Sequence, residues 1–127
     1  MATGEQPTVI DTEPQTAGAQ RVPVNVYETD EALVIVAPMP GVRAEDVEIT
    51  VAPDELRLRA ELRAPAATKR YVRREWEYGD YERAVPLPPG FTGPVNASLG
   101  NGQLAVSIAR HGTRDDEGRQ ILHPTAR

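Results

Sequence analysis

Ala97-Ser98-Leu99-Gly100-Asn101-Gly102-Gln103-Leu104 is the stretch on which the fold turns. Asn-Gly is favoured where both central residues of a turn need positive φ, the type I′ geometry whose twist matches that of paired strands. After the turn, Leu104, Val106 and Ile108 alternate with Gln103, Ala105 and Ser107, the period-two pattern of a half-buried strand. Before it, Val95, Ala97 and Leu99 lead in with the same spacing. The stretch therefore predicts an antiparallel hairpin at the heart of a β-sheet.

Working outward, the composition suits short strands joined by turns. The chain has 127 residues, with 12 Pro and 10 Gly but one Phe and one Trp. A single domain is expected, its core made of Val, Leu, Ile and Ala. The absence of cysteine removes any disulfide framework or thiolate chemistry and suits a reducing compartment. Met1 to Gln20 has no basic flank followed by an apolar run, so it does not read as a signal peptide. No run approaches the ~18 apolar residues of a membrane span. The net charge of −5 disfavours nucleic acid as a partner. A soluble, cytoplasmic β-domain is the expectation.

Residues 1–21 are rich in Thr, Gln, Pro, Gly and Glu, with Val9 and Ile10 the only large aliphatic residues before Val22. Such a segment buries too little surface to offset its ordering entropy, so a short disordered arm is predicted. The domain is placed at 22–110 and a flexible polar tail at 111–127. Val22 to Glu28 reads as an edge strand, because Pro23 is poorly tolerated in a central one. Leu33-Val34-Ile35-Val36-Ala37 is apolar at every position, the pattern of a strand covered on both faces. Val47, Ile49 and Val51 alternate with charged and polar residues, and Leu56, Leu58, Ala60 and Leu62 alternate with Arg57, Arg59, Glu61 and Arg63. Tyr71 to Glu77 and Tyr81 to Val85 are candidate strands. Seven or eight short strands with regular turn signals predict an all-β, immunoglobulin-like antiparallel β-sandwich.

Four separated blocks resemble the α-crystallin domain of the small heat-shock proteins, over roughly 22–110. They are Val26-Tyr27-Glu28-Thr29-Asp30, then Ala37-Pro38-Met39-Pro40-Gly41-Val42-Arg43-Ala44-Glu45-Asp46-Val47, then Tyr71-Val72-Arg73-Arg74-Glu75 with Tyr81-Glu82-Arg83-Ala84-Val85-Pro86-Leu87-Pro88, and finally the opening stretch. The resemblance implies an ATP-independent holdase that binds partly unfolded clients and keeps them from aggregating, without a catalytic group or cofactor. It implies a homodimer in which the strand Tyr71 to Glu77 crosses to the edge strand of a second subunit. The implied interface residues are Val22, Val24, Val26, Tyr71, Arg73, Arg74, Trp76 and Arg83. A client- or tail-binding groove is implied between the strand of Val47, Ile49 and Val51 and that of Val95, Ala97 and Leu99. The family's tail tag, Ile-x-Ile or Ile-x-Val, is degenerate here: Ile121 and Leu122 stand side by side, with Gln120 and His123 where a second anchor is expected. On that reading the groove stays available and the dimer is the main unit, with higher assembly weak. The alternative is a co-chaperone or adaptor of the same fold that binds one dedicated partner.

Other constellations read more plainly. Lys69 to Arg83 interleaves Arg with Tyr71, Trp76, Tyr78 and Tyr81, but Glu75, Glu77, Asp80 and Glu82 nearly cancel its charge, unlike a phosphate-tracking groove. His111 and His123 are the only histidines and read as solvated tail residues. Ser98 has no nucleophile-elbow context, and Gly100 and Gly102 precede no helix. No enzyme, metal or cofactor is expected.

Overall fold

The computed structural model describes residues 19–62, 70–75, 79–114 and 119–127. They form two facing five-stranded sheets. The strands are β1 (Gln20–Arg21), β2 (Asn25–Glu28), β3 (Ala32–Pro38), β4 (Val47–Val51), β5 (Glu55–Ala60), β6 (Tyr81–Pro86), β7 (Val95–Gly100), β8 (Gln103–Ala109), β9 (Gln120–Leu122) and β10 (Thr125–Ala126), with one short 3-10 turn at Ala44–Asp46. One sheet runs β1-β6-β5-β4-β9 and the other β10-β7-β8-β3-β2. The fold is the expected β-sandwich, and no helix among the described residues is long and apolar enough to cross a membrane.

The opening hairpin forms as read. Asn101 and Gly102 both take positive φ, at 52° and 74°, and Val95–Gly100 pairs with Gln103–Ile108 in continuous register. Leu104, Val106 and Ile108 are fully buried and face Leu33, Ile35 and Ala37 of β3 across the ladder. From the other sheet come Val47, Ile49, Val51, Leu56 and Leu58, each fully buried. Burying each such side chain contributes about 1.5–3 kcal/mol, so aliphatic residues alone hold the two layers together.

Three expectations change. The edge strand expected over residues 22–28 divides: β1 pairs in parallel with β6, Val22 drops into the core at 1% exposure, and β2 begins only at Asn25 in the other sheet. Pro23, between them, is where the chain crosses layers; its missing N–H makes it a poor ladder residue. Among the described residues, the β3 strand is covered on one face only. Leu33, Ile35 and Ala37 are buried, while Val34 and Val36 are half-buried on the outer surface. Finally, residues 119–127 are not a loose tail. They form β9 on β4 and β10 on β7, because both sheets leave an unpaired edge on that side of the sandwich.

Candidate functional site

Four edges bound the sandwich, and chain termini blunt three of them. β1 lies on β6, β9 on β4 and β10 on β7, each two or three residues long. The fourth edge is β2, and no further strand among the described residues pairs with it. All four of its residues are exposed, with Val26 at 42% and Tyr27 at 52%. A row of backbone donors and acceptors beside two exposed apolar side chains is a template for another strand.

Residues 70–75 lie exposed and take no strand in the single chain. Tyr71 and Val72 are exposed, and the charges find partners within the segment itself: Arg73 Nη1 lies 3.3 Å from Glu75 Oε2, and the Arg74 guanidinium stacks 5.0 Å from the Tyr71 ring centroid. Trp76 lies outside the described residues. Of the other expected interface residues, Val24 is half-buried and Val26 is on the open edge, but Val22 belongs to the core and presents no side chain to a partner. Arg83, on β6, donates from Nη1 to the Val22 carbonyl at 3.0 Å, so it pins the layer crossing inside its own chain. Beside it, Glu82 is buried and bonded to Arg59 at 3.1 Å across the β5–β6 ladder.

The chain's own C-terminus lies along β4 and β7, the two strands between which the sequence reading expects a groove. Ile49 pairs with Leu122 and Ser98 with Thr125, so three residue steps, through His123 and Pro124, carry the tail from one sheet to the other. At about 3.4 Å per residue this spans about 10 Å, the spacing of stacked sheets. Leu122 packs against the core and Pro124 is buried, whereas Ile121 points outward at 55% exposure. Adjacent residues on a strand face opposite ways, so Ile121 and Leu122 cannot both anchor. The second anchor is Pro124, two residues on, a spacing legible in the sequence but masked by the absence of a second Ile or Val. Thr125 Oγ1 donates to the Ala97 carbonyl at 3.3 Å and the Arg127 amide to the Leu99 carbonyl at 2.9 Å. Val47, Ile49 and Val51 turn their side chains into the core, with Leu99 buried and Val95 and Ala97 packed against the same cluster. What the groove offers is therefore two backbone edges and a seam, covered by residues 120–126.

His123 is not merely a solvated tail residue. Its Nδ1 lies 2.6 Å from the Val47 carbonyl, an acceptor only, so Nδ1 carries the proton. The ring borders a shallow hollow of about 410 Å³ whose rim is acidic, with Glu45, Asp46, Glu48 and Glu61 against the single cation Arg59. Among the described residues no cluster of His, Cys, Asp and Glu has the arrangement to hold a metal ion. On β6, the Tyr81 hydroxyl donates to the Pro40 carbonyl at 3.0 Å, and burial pushes its phenol above the ordinary value. That bond ties the start of β6, where the free segment rejoins the sandwich, to the β3–β4 connection.

A profile of the Hsp20/alpha crystallin family matches residues 25–122. An 18.9 kDa heat shock protein of Oryza sativa subsp. japonica is 37% identical over 98 residues, covering 74% of this chain and 55% of that protein. A spore protein of Stigmatella aurantiaca is 33% identical over 88 residues, 67% of this chain and 52% of its own. The chain thus spans about half the length of these curated relatives. Among solved structures, hspA from Xanthomonas axonopodis superposes with a TM-score of 0.66 at 24% identity, over 75% of this chain and 98% of that one. A small heat-shock protein from Xylella fastidiosa gives 0.65 at 22% identity, over 75% and 90%. With the paired sheets, the Asn-Gly hairpin and the family profile in agreement over most of its length, the chain belongs to the Hsp20/alpha crystallin family of small heat-shock proteins.

Proposed function

We propose that the protein is an ATP-independent holdase chaperone that works as a strand-exchanged homodimer. The observation that carries this reading is the pairing of one unmet edge with one unmet segment. β2 is the only sheet edge among the described residues that no terminal strand covers, and Tyr71 and Val72 stand exposed in a segment without an in-chain strand partner. Exchange of the segment Tyr71 to Glu77 onto the β2 edge of a second chain covers both at once, and Val24 and Val26 then lie at the join. Arg73 and Arg74 travel with the exchanged segment, and Arg83 anchors the strand from which it departs.

Holding a non-native chain requires apolar surface and exchangeable strand edges rather than a reacting group. The β4–β7 seam supplies such a site only when residues 120–126 leave it, so the tail acts as a cover for the seam that Val47, Ile49, Val51, Val95, Ala97 and Leu99 build. The test is light scattering from two unrelated aggregating proteins, one heated and one reduced, without ATP. Suppression of both near stoichiometric ratios is expected. Failure on both with the protein folded replaces this reading with that of an adaptor for one dedicated partner.

A further inference from the structure

We propose that Arg114, seconded by Thr92, is a positioning residue that fixes the root of the C-terminal tail and so directs the tail onto the seam of its own chain. The docked part of the tail is 120–126; what steers it there lies just past β8.

β8 ends at Ala109, and the chain beyond it is laid against residues 91–94, the lead into β7. The Gly93 N–H donates to the Ala109 carbonyl at 2.8 Å, and the Ala109 N–H to the Pro94 carbonyl at 2.9 Å. The approach is so close that a Cβ on Gly93 would collide with the His111 carbonyl oxygen, so only glycine fits there. Thr92 Oγ1 then donates to the Gly112 carbonyl at 2.9 Å. Arg114, half-buried, donates from Nη1 to two carbonyls, Gly93 at 2.8 Å and Phe91 at 3.2 Å. A guanidinium held by carbonyls makes charge-assisted bonds, stronger than the neutral ones around them. β7, which this loop enters, is also the strand on which the tail ends, with Thr125 opposite Ser98. Root and tip of the tail are thus tied to one stretch of chain.

Length turns this clamp into a choice of seam. Six residue steps, at about 3.5 Å each, carry the chain from Arg114 to Gln120, so a tail rooted at Arg114 reaches at most about 20 Å. The β4 edge of the same chain lies inside that radius, since Gln120 pairs with Val51. Without the clamp the root retreats to Ala109, and eleven steps reach about 37 Å, more than the ~30 Å width of a small domain. A tail rooted at Arg114 meets its own β4; one rooted at Ala109 also meets a neighbour's. A short tether gives an effective concentration of about 1 mM, so at micromolar protein the chain's own seam wins by about 100-fold or more. Nearly doubling the tether lowers that advantage by about two- to threefold. The tail's choice of seam is read separately from strand exchange, since β4 and β2 belong to different sheets.

Disulfide trapping tests the clamp. The chain has no cysteine, and Thr50 and Ile121 stand directly opposite in the β4–β9 pair. A 50–121 disulfide in the Thr50→Cys/Ile121→Cys double variant therefore records which seam a tail occupies. Mild oxidation at micromolar concentration should close it within one chain, with 50–121 links between chains at about a hundredth of the product. Chains carrying one substitution each, refolded together, should give almost no 50–121 link; peptide masses separate it from symmetric disulfides. Adding Arg114→Ala and Thr92→Val should raise the share of links between chains about threefold or more. Links between chains at a yield comparable to those within one, with the clamp intact, overturn the proposal. So does the absence of any 50–121 link. An unchanged ratio after the clamp is removed, even with a lowered thermal midpoint, gives Arg114 a structural role only and also overturns it. Far-ultraviolet circular dichroism identifies a variant that fails to fold, and Arg114→Ala alone decides if the pair does.

Discussion

Residues 119–127 and residues 70–75 are both short, polar-flanked pieces of chain outside the main hairpins, yet only the first is built into the sandwich. The tail meets two unpaired edges, β4 and β7, that lie one sheet spacing apart, and Leu122 and Pro124 reach the seam between them. The segment at 70–75 leaves from the β6 side, where β1 already occupies the neighbouring edge. The edge left over among the described residues, β2, belongs to the other sheet. A piece of extended chain becomes a strand when a free edge lies within its reach in the right register; hydrophobicity alone does not suffice.

The sharpest way to break this comparison is to remove each segment in turn. Deleting Tyr71–Tyr78 is expected to abolish the dimer and leave a folded monomer, read by mass at micromolar concentration; a retained dimer refutes strand exchange. Deleting residues 119–127 has the next largest effect. It strips backbone pairing from β4 and β7 and uncovers Leu122's site, which should cost about 2 kcal/mol or more. The thermal midpoint should fall by about 10 °C, with the dimer retained. If that truncation leaves the midpoint unchanged, the tail is not held as described.

Smaller changes sharpen the contrast at β6. Arg83→Ala removes the donor to the Val22 carbonyl and should destabilise the fold by about 1–3 kcal/mol in denaturant titration. If it weakens dimerisation without changing the stability of the Tyr71–Tyr78 deletion variant, its role lies between chains instead. Tyr81→Phe leaves the Pro40 carbonyl without its partner, at about 1 kcal/mol, and should not alter dimer affinity. The same variant has a pH signature. Because burial raises the folded phenol's pKa, the unfolded chain ionises first as pH passes about 10, and stability falls with further rise in pH until the folded phenol ionises. Below that window Tyr81 is neutral in both states and contributes no slope. Tyr81→Phe should therefore show a smaller alkaline loss than wild type in pH-dependent melting.

Much of this architecture is legible locally. Asn101-Gly102 specifies its turn because few residue pairs accept two positive φ angles in succession, and the alternation from Val47 to Val51 and from Leu56 to Ala60 fixes which side faces the core. Other features escape a local reading for reasons of the same kind. Val22 sits in an apolar-polar alternation that continues into β2, and nothing local announces that Pro23 carries the chain between layers. Ile121-Leu122 looks like a damaged tag because the anchoring pair, Leu122 and Pro124, mixes an aliphatic residue with a proline. His123 is exposed, as a solvated tail residue would be, but its acceptor, a backbone carbonyl 76 residues away, is not legible in the sequence.

By itself the sequence determined the sandwich, its principal hairpin, its aliphatic core and the family to which the chain is similar, since each rests on periodicity, turn chemistry or residues close together along the chain. The tertiary structure alone decided that the C-terminus covers the β4–β7 seam and that, among the described residues, β2 takes no further strand and one face of the apolar β3 strand lies outside. Those outcomes depend on which strand edges come within reach of one another after the sheets have stacked, and edge proximity is a property of three-dimensional arrangement that no local pattern encodes.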